Sequence, residues 1–207
     1  RLLRWAYDSA DVDFLAEVSG HEMLGKLRRR IFAAMEERAL HHRKALILDT
    51  FARGLEKLVL VDGKEDFREE LAWSLSSRAL SYYHLGHYQR ALVDIETAIG
   101  HFQTMVEEQG LEKLRNGLAA ALNRRSEIYR GLLDWQRAYP DAERAVQNYE
   151  RVVANGRLDL AALLMLAYHN RGIVHRALRQ GELAQKDLDA ALGGYLKLVD
   201  RENRREL

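Results

Sequence analysis

Three arginines and three aspartates recur at a fixed interval: Arg78, Arg125 and Arg171 are 47 and 46 residues apart, and Asp94, Asp141 and Asp187 keep the same steps. A planar guanidinium beside a carboxylate is a pairing that enzymes use to orient anionic substrates. Threefold recurrence points instead to structure. One Arg on a first helix facing one Asp on a second, repeated down the chain, is an ion-pair ladder that fixes geometry more than it adds stability. The histidines make no metal constellation. His21-Glu22 lacks the second His of a zinc-protease motif, His41-His42 point to different sides of any helix, and His84 and His87 straddle a turn at Leu85-Gly86. The chain has no Cys, which excludes a disulfide framework, thiol catalysis and thiolate metal sites. No Gly-rich phosphate loop is present. The expectation is a protein with no catalytic residues, no metal and no cofactor.

Composition narrows the class further. The 207 residues include 32 Lys+Arg against 31 Asp+Glu and are 47% hydrophobic, so disorder and binding by bulk charge are both disfavoured. Arg28-Arg29-Arg30 is the main basic run, with Glu36-Glu37 close by, and reads as a solvated helix face rather than a nucleic-acid patch. No apolar run approaches bilayer length, and the first twenty residues, with Asp8, Asp11, Asp13 and Glu17, do not resemble a signal peptide. Nucleic acid and membrane are therefore not expected partners, and a cytoplasmic location is. The chain opens on Arg1 and closes on a charged stretch, which reads as a piece of a longer protein.

The elements that must position these residues follow from the same interval. Leu85-Gly86-His87-Tyr88-Gln89-Arg90-Ala91 aligns with Leu132 to Ala138 and with Leu178 to Ala184. Upstream, Phe67/Leu114/Leu160, Leu71/Leu118/Leu164, Leu75/Leu122/Tyr168, the Arg column, Tyr82/Tyr129/His175 and Leu85/Leu132/Leu178 trace one helical stripe by their spacings of three and four. Downstream, Ala91/Ala138/Ala184, the Asp column, Ala98/Ala145/Ala191, Phe102/Tyr149/Tyr195 and Val106/Val153/Val199 trace a second. Gly63, Gly110 and Gly156 are placed to end second helices, and Asp66 with Glu69 reads as a helix start. Helix pairs are expected at about 65–108, 111–154 and 157–200, a degenerate pair at about 21–61, and a lone helix near 2–18, nine helices in all. Pro140 falls inside a second helix, which should kink or start late.

The pattern in Arg78-Ala79-Leu80-Ser81-Tyr82-Tyr83-His84-Leu85-Gly86-His87-Tyr88-Gln89-Arg90-Ala91 followed by Ala98 resembles the tetratricopeptide repeat family, and Asn170-Arg171-Gly172 is similar to a variant of its first helix. The resemblance covers about 65–200 well and 21–62 weakly. Two features depart from it: the period exceeds the family's usual 34 residues, and the family's terminal Pro is absent, with Gln103 in its place. The period alone also fits HEAT or armadillo repeats; the small-residue columns favour the tetratricopeptide reading. The implied fold is an all-α, right-handed superhelical solenoid of stacked antiparallel helix pairs, divided as 1–63, 64–110, 111–156 and 157–207.

The resemblance also implies a site. First helices line a concave groove, and the family's groove positions fall on Trp73, Ser76, Ser77, Leu80, Tyr83 and His84 in one unit. They fall on Ala120, Asn123, Arg124, Glu127, Arg130 and Gly131 in the next, and on Leu166, His169, Asn170, Ile173, Arg176 and Ala177 in the last. The implied function is a non-enzymatic interaction scaffold that holds a partner peptide, a helix or a neighbouring domain of its parent chain, of somewhat acidic character. A chaperone-tail clamp is not matched, because Ser76 and Leu80 stand where it needs Lys and Asn. The alternative is a peptide-sensing regulatory module whose helix packing shifts on binding. Self-association through uncovered terminal helices is a third expectation.

Overall fold

The computed structural model describes the backbone of residues 22–203 and the side chains of residues 38–200. Among the described residues the chain is all-α, with seven helices: α1 (Glu22–Glu56), α2 (Arg68–His84), α3 (Tyr88–Gln103), α4 (Arg115–Gly131), α5 (Trp135–Ala154), α6 (Ala161–Ala177) and α7 (Gly181–Asn203). They pack in chain order as antiparallel pairs, consistent with a tetratricopeptide-like array. Each helix packs chiefly on its sequence neighbours, and successive first helices, α2 with α4 and α4 with α6, also touch directly. The expected lone helix near 2–18 lies outside the described residues.

Two kinds of turn alternate. Within a pair, three residues reverse the chain: Leu85-Gly86-His87, Leu132-Leu133-Asp134 and Leu178-Arg179-Gln180, the middle residue having φ of 76°, 61° and 60°. Only Gly occupies that left-handed conformation without a steric penalty. Between pairs, Gly63, Gly110 and Gly156 have φ of 65°, 70° and 97°, and the chain then enters each first helix through a 3₁₀ turn, at Glu65–Phe67, Glu112–Leu114 and Leu158–Leu160. Helices α1 and α3 widen into a π-turn before the glycine, at Lys57–Val61 and Thr104–Glu108. Asp66 makes no capping bond to α2. The α2 entry is held instead by Arg68 Nη2 donating to Glu65 Oε1 at 2.7 Å, and Arg115 Nη2 repeats this on Glu112 at 2.6 Å.

Two expectations change. Residues 22–56 form one continuous helix rather than the first part of a pair, and the stretch Arg38-Ala39-Leu40, at the place of the later turns, runs on as helix, which Arg, Ala and Leu all favour. The α1 face that a folded-back partner would cover consequently keeps Ile47 and Phe51 exposed beside Gly54 and Leu58, lining an open apolar groove. Of the two outcomes expected at Pro140, a late start does not occur in helix α5. It begins at Trp135, with Asp134 Oδ1 accepting from the Arg137 backbone N–H at 3.1 Å, and Pro140 lies on its exposed side, where water can satisfy the carbonyl that loses its partner.

The core runs along the stack. Phe102 is fully buried, meets the edge of Trp73 at 5.1 Å between ring centroids, and presses its ring into the space a side chain at Gly117 would fill. Leu71, Leu75, Ile95, Leu118, Leu122 and Ile128 are also sealed from water. Each such side chain contributes about 1.5–3 kcal/mol by burial. No described helix is long and apolar enough to cross a membrane.

Candidate interaction surface

The recurring ion pairs form as a ladder. Arg78, Arg125 and Arg171 each donate through Nε and Nη2 to both oxygens of Asp94, Asp141 and Asp187, all at 2.7 Å. These bonds hold the Arg78 and Arg125 guanidinium groups even more firmly protonated than usual, against the opposing effect of burial. A further acidic column escaped the sequence reading. Arg78 Nη1 also donates to Asp49 Oδ1 of α1 at 2.9 Å, Arg171 Nη1 donates to Glu143 Oε2 of α5 at 3.0 Å, and Glu96 of α3 acts electrostatically on Arg125. Asp49, Glu96 and Glu143 are themselves 47 residues apart, so the signal was present in the period. Each Arg thus ties its own pair together and fastens it to the preceding one.

The inner face of the first helices carries a second polar system. Asn170 Nδ2 of α6 donates to Glu127 Oε1 at 2.7 Å and to Asn123 Oδ1 at 3.1 Å, both on α4. Asn123 Nδ2 donates to the same Glu127 oxygen at 3.2 Å, and Arg130 Nη1 donates to Asn170 Oδ1 at 2.9 Å. Toward α2, Arg124 Nη1 donates to the Ser76 carbonyl at 2.8 Å and to its hydroxyl at 2.9 Å. Burial raises the Glu127 carboxyl above its ordinary range, with the Asn170 bond and the charges of Arg130 and Arg124 opposing. Burial also lowers Arg124 and pushes the nearby Tyr149 hydroxyl up to about 12. Arg130 Nε is buried with no hydrogen-bond partner.

Of the positions the family resemblance marked, Asn123, Arg124, Glu127, Arg130 and Asn170 therefore meet in one network, with Asn123 and Asn170 buried. Trp73, Ser77 and Tyr83 are half-buried; Tyr83 packs on Tyr88 at 5.8 Å and lies over Gly131. His84, His169 and Arg176 are exposed, and His84 stacks on His41 of α1 at 4.2 Å between centroids. These three stand apart from the network. Among the described residues no group of three His, Asp or Glu side chains is placed to hold a metal ion.

No protein-family model matches the chain, and no curated protein matches it in sequence. Among solved structures, the crystal structure of BtubC (BKLC) from P. vanneervenii superposes with a TM-score of 0.56, covering 96% of this chain and 76% of that one. The chain has the fold of BtubC. Sequence identity across the superposition is 19%, so the likeness to BtubC concerns architecture: a helical array of the same kind, built from largely different side chains.

Proposed function

We propose that the chain is a non-enzymatic interaction module of the tetratricopeptide kind, which holds a partner peptide, a partner helix or a neighbouring domain along the face formed by α2, α4 and α6. The observation that carries this reading is the polar network that fixes that face, Asn123, Glu127, Arg130 and Asn170, which joins α4 to α6 and leaves a continuous polar surface along the first helices. Around it, Arg176 and His169 offer exposed hydrogen-bond donors and Trp73 and Tyr83 offer half-buried aromatic surface. This suits a peptide with some acidic character.

The sensing alternative draws on one specific feature. Arg124–Ser76 and Asn170–Glu127 are groove residues that also join successive units, so a ligand that captures Glu127 or Arg124 competes with the packing of α2 on α4 and of α4 on α6. Selection of random dodecapeptides displayed on phage, run against the parent protein and the Arg176→Glu variant, tests the proposal. Acidic sequences should be enriched on the parent and lost on the variant. Enrichment of the same sequences on both removes the groove assignment.

A further inference from the structure

We infer that the cleft between α1 and the turn joining α2 to α3 receives one carboxylate of an acidic peptide, at a site separate from the polar network on α4 and α6. The cleft encloses about 350 Å³, toward the lower end of the range found for ligand pockets. Its polar lining is Arg53, Arg90, His42, His87, Tyr82 and Asp49. The two arginines are short of acceptors. Arg53 Nη2 meets Asp49 Oδ2 at 2.6 Å, but Asp49 already accepts from Arg78 through its other oxygen at 2.9 Å. Arg90 lies over the Tyr82 ring at 5.9 Å from its centroid and pairs with no carboxylate among the described residues. His42 and His87, both exposed, add imidazole N–H donors at the rim.

The following unit shows what this geometry binds. Arg137 stands at the place of Arg90 and lies over Tyr129, the counterpart of Tyr82, at 5.5 Å. Its Nε meets Asp134 Oδ2 at 2.8 Å. The residue at the place of Asp134 in the earlier unit is His87, so the same arginine over the same ring lacks its carboxylate. The charge of the lining reverses as well. Arg53 is replaced by Gly100 and Gln147 in the later units, and His42 by Gln89 and Gln136, while Asp49 becomes Glu96 and Glu143. The second unit therefore sets Arg137 against Glu96 and Asp134, and the third, with Leu183 at the place of Arg90, keeps Glu143 and has no arginine at these positions. Two arginines against one carboxylate favour an anion in the first cleft, and the opposite balance disfavours one in the other two. Ala45, Leu46 and Leu85 complete the wall and suit the methylene stem of a Glu side chain. A bidentate guanidinium contact, as Arg137 makes room for on Asp134, holds the head group.

The probe is the peptide acetyl-Gly-Glu-Gly-amide, with acetyl-Gly-Gln-Gly-amide as the neutral control. Each is titrated into the nitrogen-15-labelled 207-residue protein at fixed ionic strength and followed by NMR. The Glu peptide should give saturable shifts of the Arg53 and Arg90 Nε–H resonances, with a Kd of about 1–10 mM, and the Gln peptide none. Arg90→Gln should weaken binding about threefold or more. His87→Asp should do the same for a different reason: it supplies the carboxylate from within, as Asp134 does, and should leave the thermal midpoint no lower than the parent's. Arg137→Gln, in the cleft already filled, and Arg176→Glu, on the proposed groove, should leave the affinity unchanged. Shifts that do not saturate, an equal response to the Gln peptide, or binding indifferent to Arg90→Gln overturns the inference. So does loss of binding in Arg176→Glu, which would put the carboxylate in the groove. Saturation by inorganic phosphate without saturation by the Glu peptide overturns the assignment to a carboxylate.

Discussion

At the scale of single residues, two positions hold energy that a substitution can recover or expose. Leu133 is left-handed, 72% exposed and makes no core contact that its removal would forfeit. Leu133→Gly should therefore stabilise the protein by about 1 kcal/mol, read as a higher midpoint in urea with an unchanged slope. His101 is the second. Arg68 Nη1 lies 3.1 Å from its Nδ1, so the ring accepts there and carries its proton on Nε2, which is buried without a partner. Burial, then the Arg68 charge, lower its pKa below the ordinary histidine value of 6.5. The sign follows from linkage. Below pH 6.5 the unfolded chain binds a proton that the folded ring refuses, so stability is present above that pH and falls as pH drops through the window below it. The slope has a ceiling of about 1.4 kcal/mol per pH unit. Urea titrations of the parent and His101→Gln from pH 7.5 to 5.5 should diverge, the variant losing part of the acid slope; parallel curves would contradict the assignment.

At the scale of elements, the helix pairs are held by apolar fit and by the ladder, and the two respond differently to mutation. Phe102 occupies the space above Gly117, where an added Cβ would meet its ring at 2.5 Å, whereas Gly100 faces open space. Gly117→Ala should cost about 1–3 kcal/mol through overpacking, and Gly100→Ala should gain about 0.5–1 kcal/mol from helix propensity; thermal melts of the two variants should move in opposite directions. For the ladder, Arg125→Met leaves Asp141, 3% exposed, without its partner and should cost about 3 kcal/mol or more. The Arg125→Met/Asp141→Leu double variant should recover most of that loss, because two apolar side chains replace a pair whose desolvation already offset much of its attraction. Equal loss in both would mean that the ladder adds stability outright.

Helices α2 to α7 were legible in the sequence because their apolar stripes, their turn residues and the Arg and Asp columns repeat with one period. The α1 region misled because a stripe of period 3.6 looks the same whether the helix runs on or reverses, and the turn residues do not separate the cases: Leu178-Arg179-Gln180 reverses the chain without a Gly or an Asp, whereas Arg38-Ala39-Leu40 stays helical. The polar network on the first helices was harder to read. Asn123, Glu127 and Asn170 stand in columns that vary between units, which reads as a solvated face. Their burial arises from lateral contact between first helices, and no spacing along one helix encodes that contact.

At the scale of the whole molecule, each described unit packs chiefly on its neighbours, so the chain behaves as a one-dimensional stack, and the proposed function places its binding on the faces of that stack. Arg124–Ser76 and Asn170–Glu127 join α2 to α4 and α4 to α6 along the first helices. The fold shared with BtubC at 19% identity shows that the same array can be built from largely different side chains. Hydrogen exchange with a selected acidic peptide bound and free tests the central claim most directly. Slowed exchange is expected along α2, α4 and α6, greatest around Asn123 to Arg130 and Asn170, with α3 and α5 unchanged. Protection confined to α1, or to the second helices α3 and α5, would contradict the account.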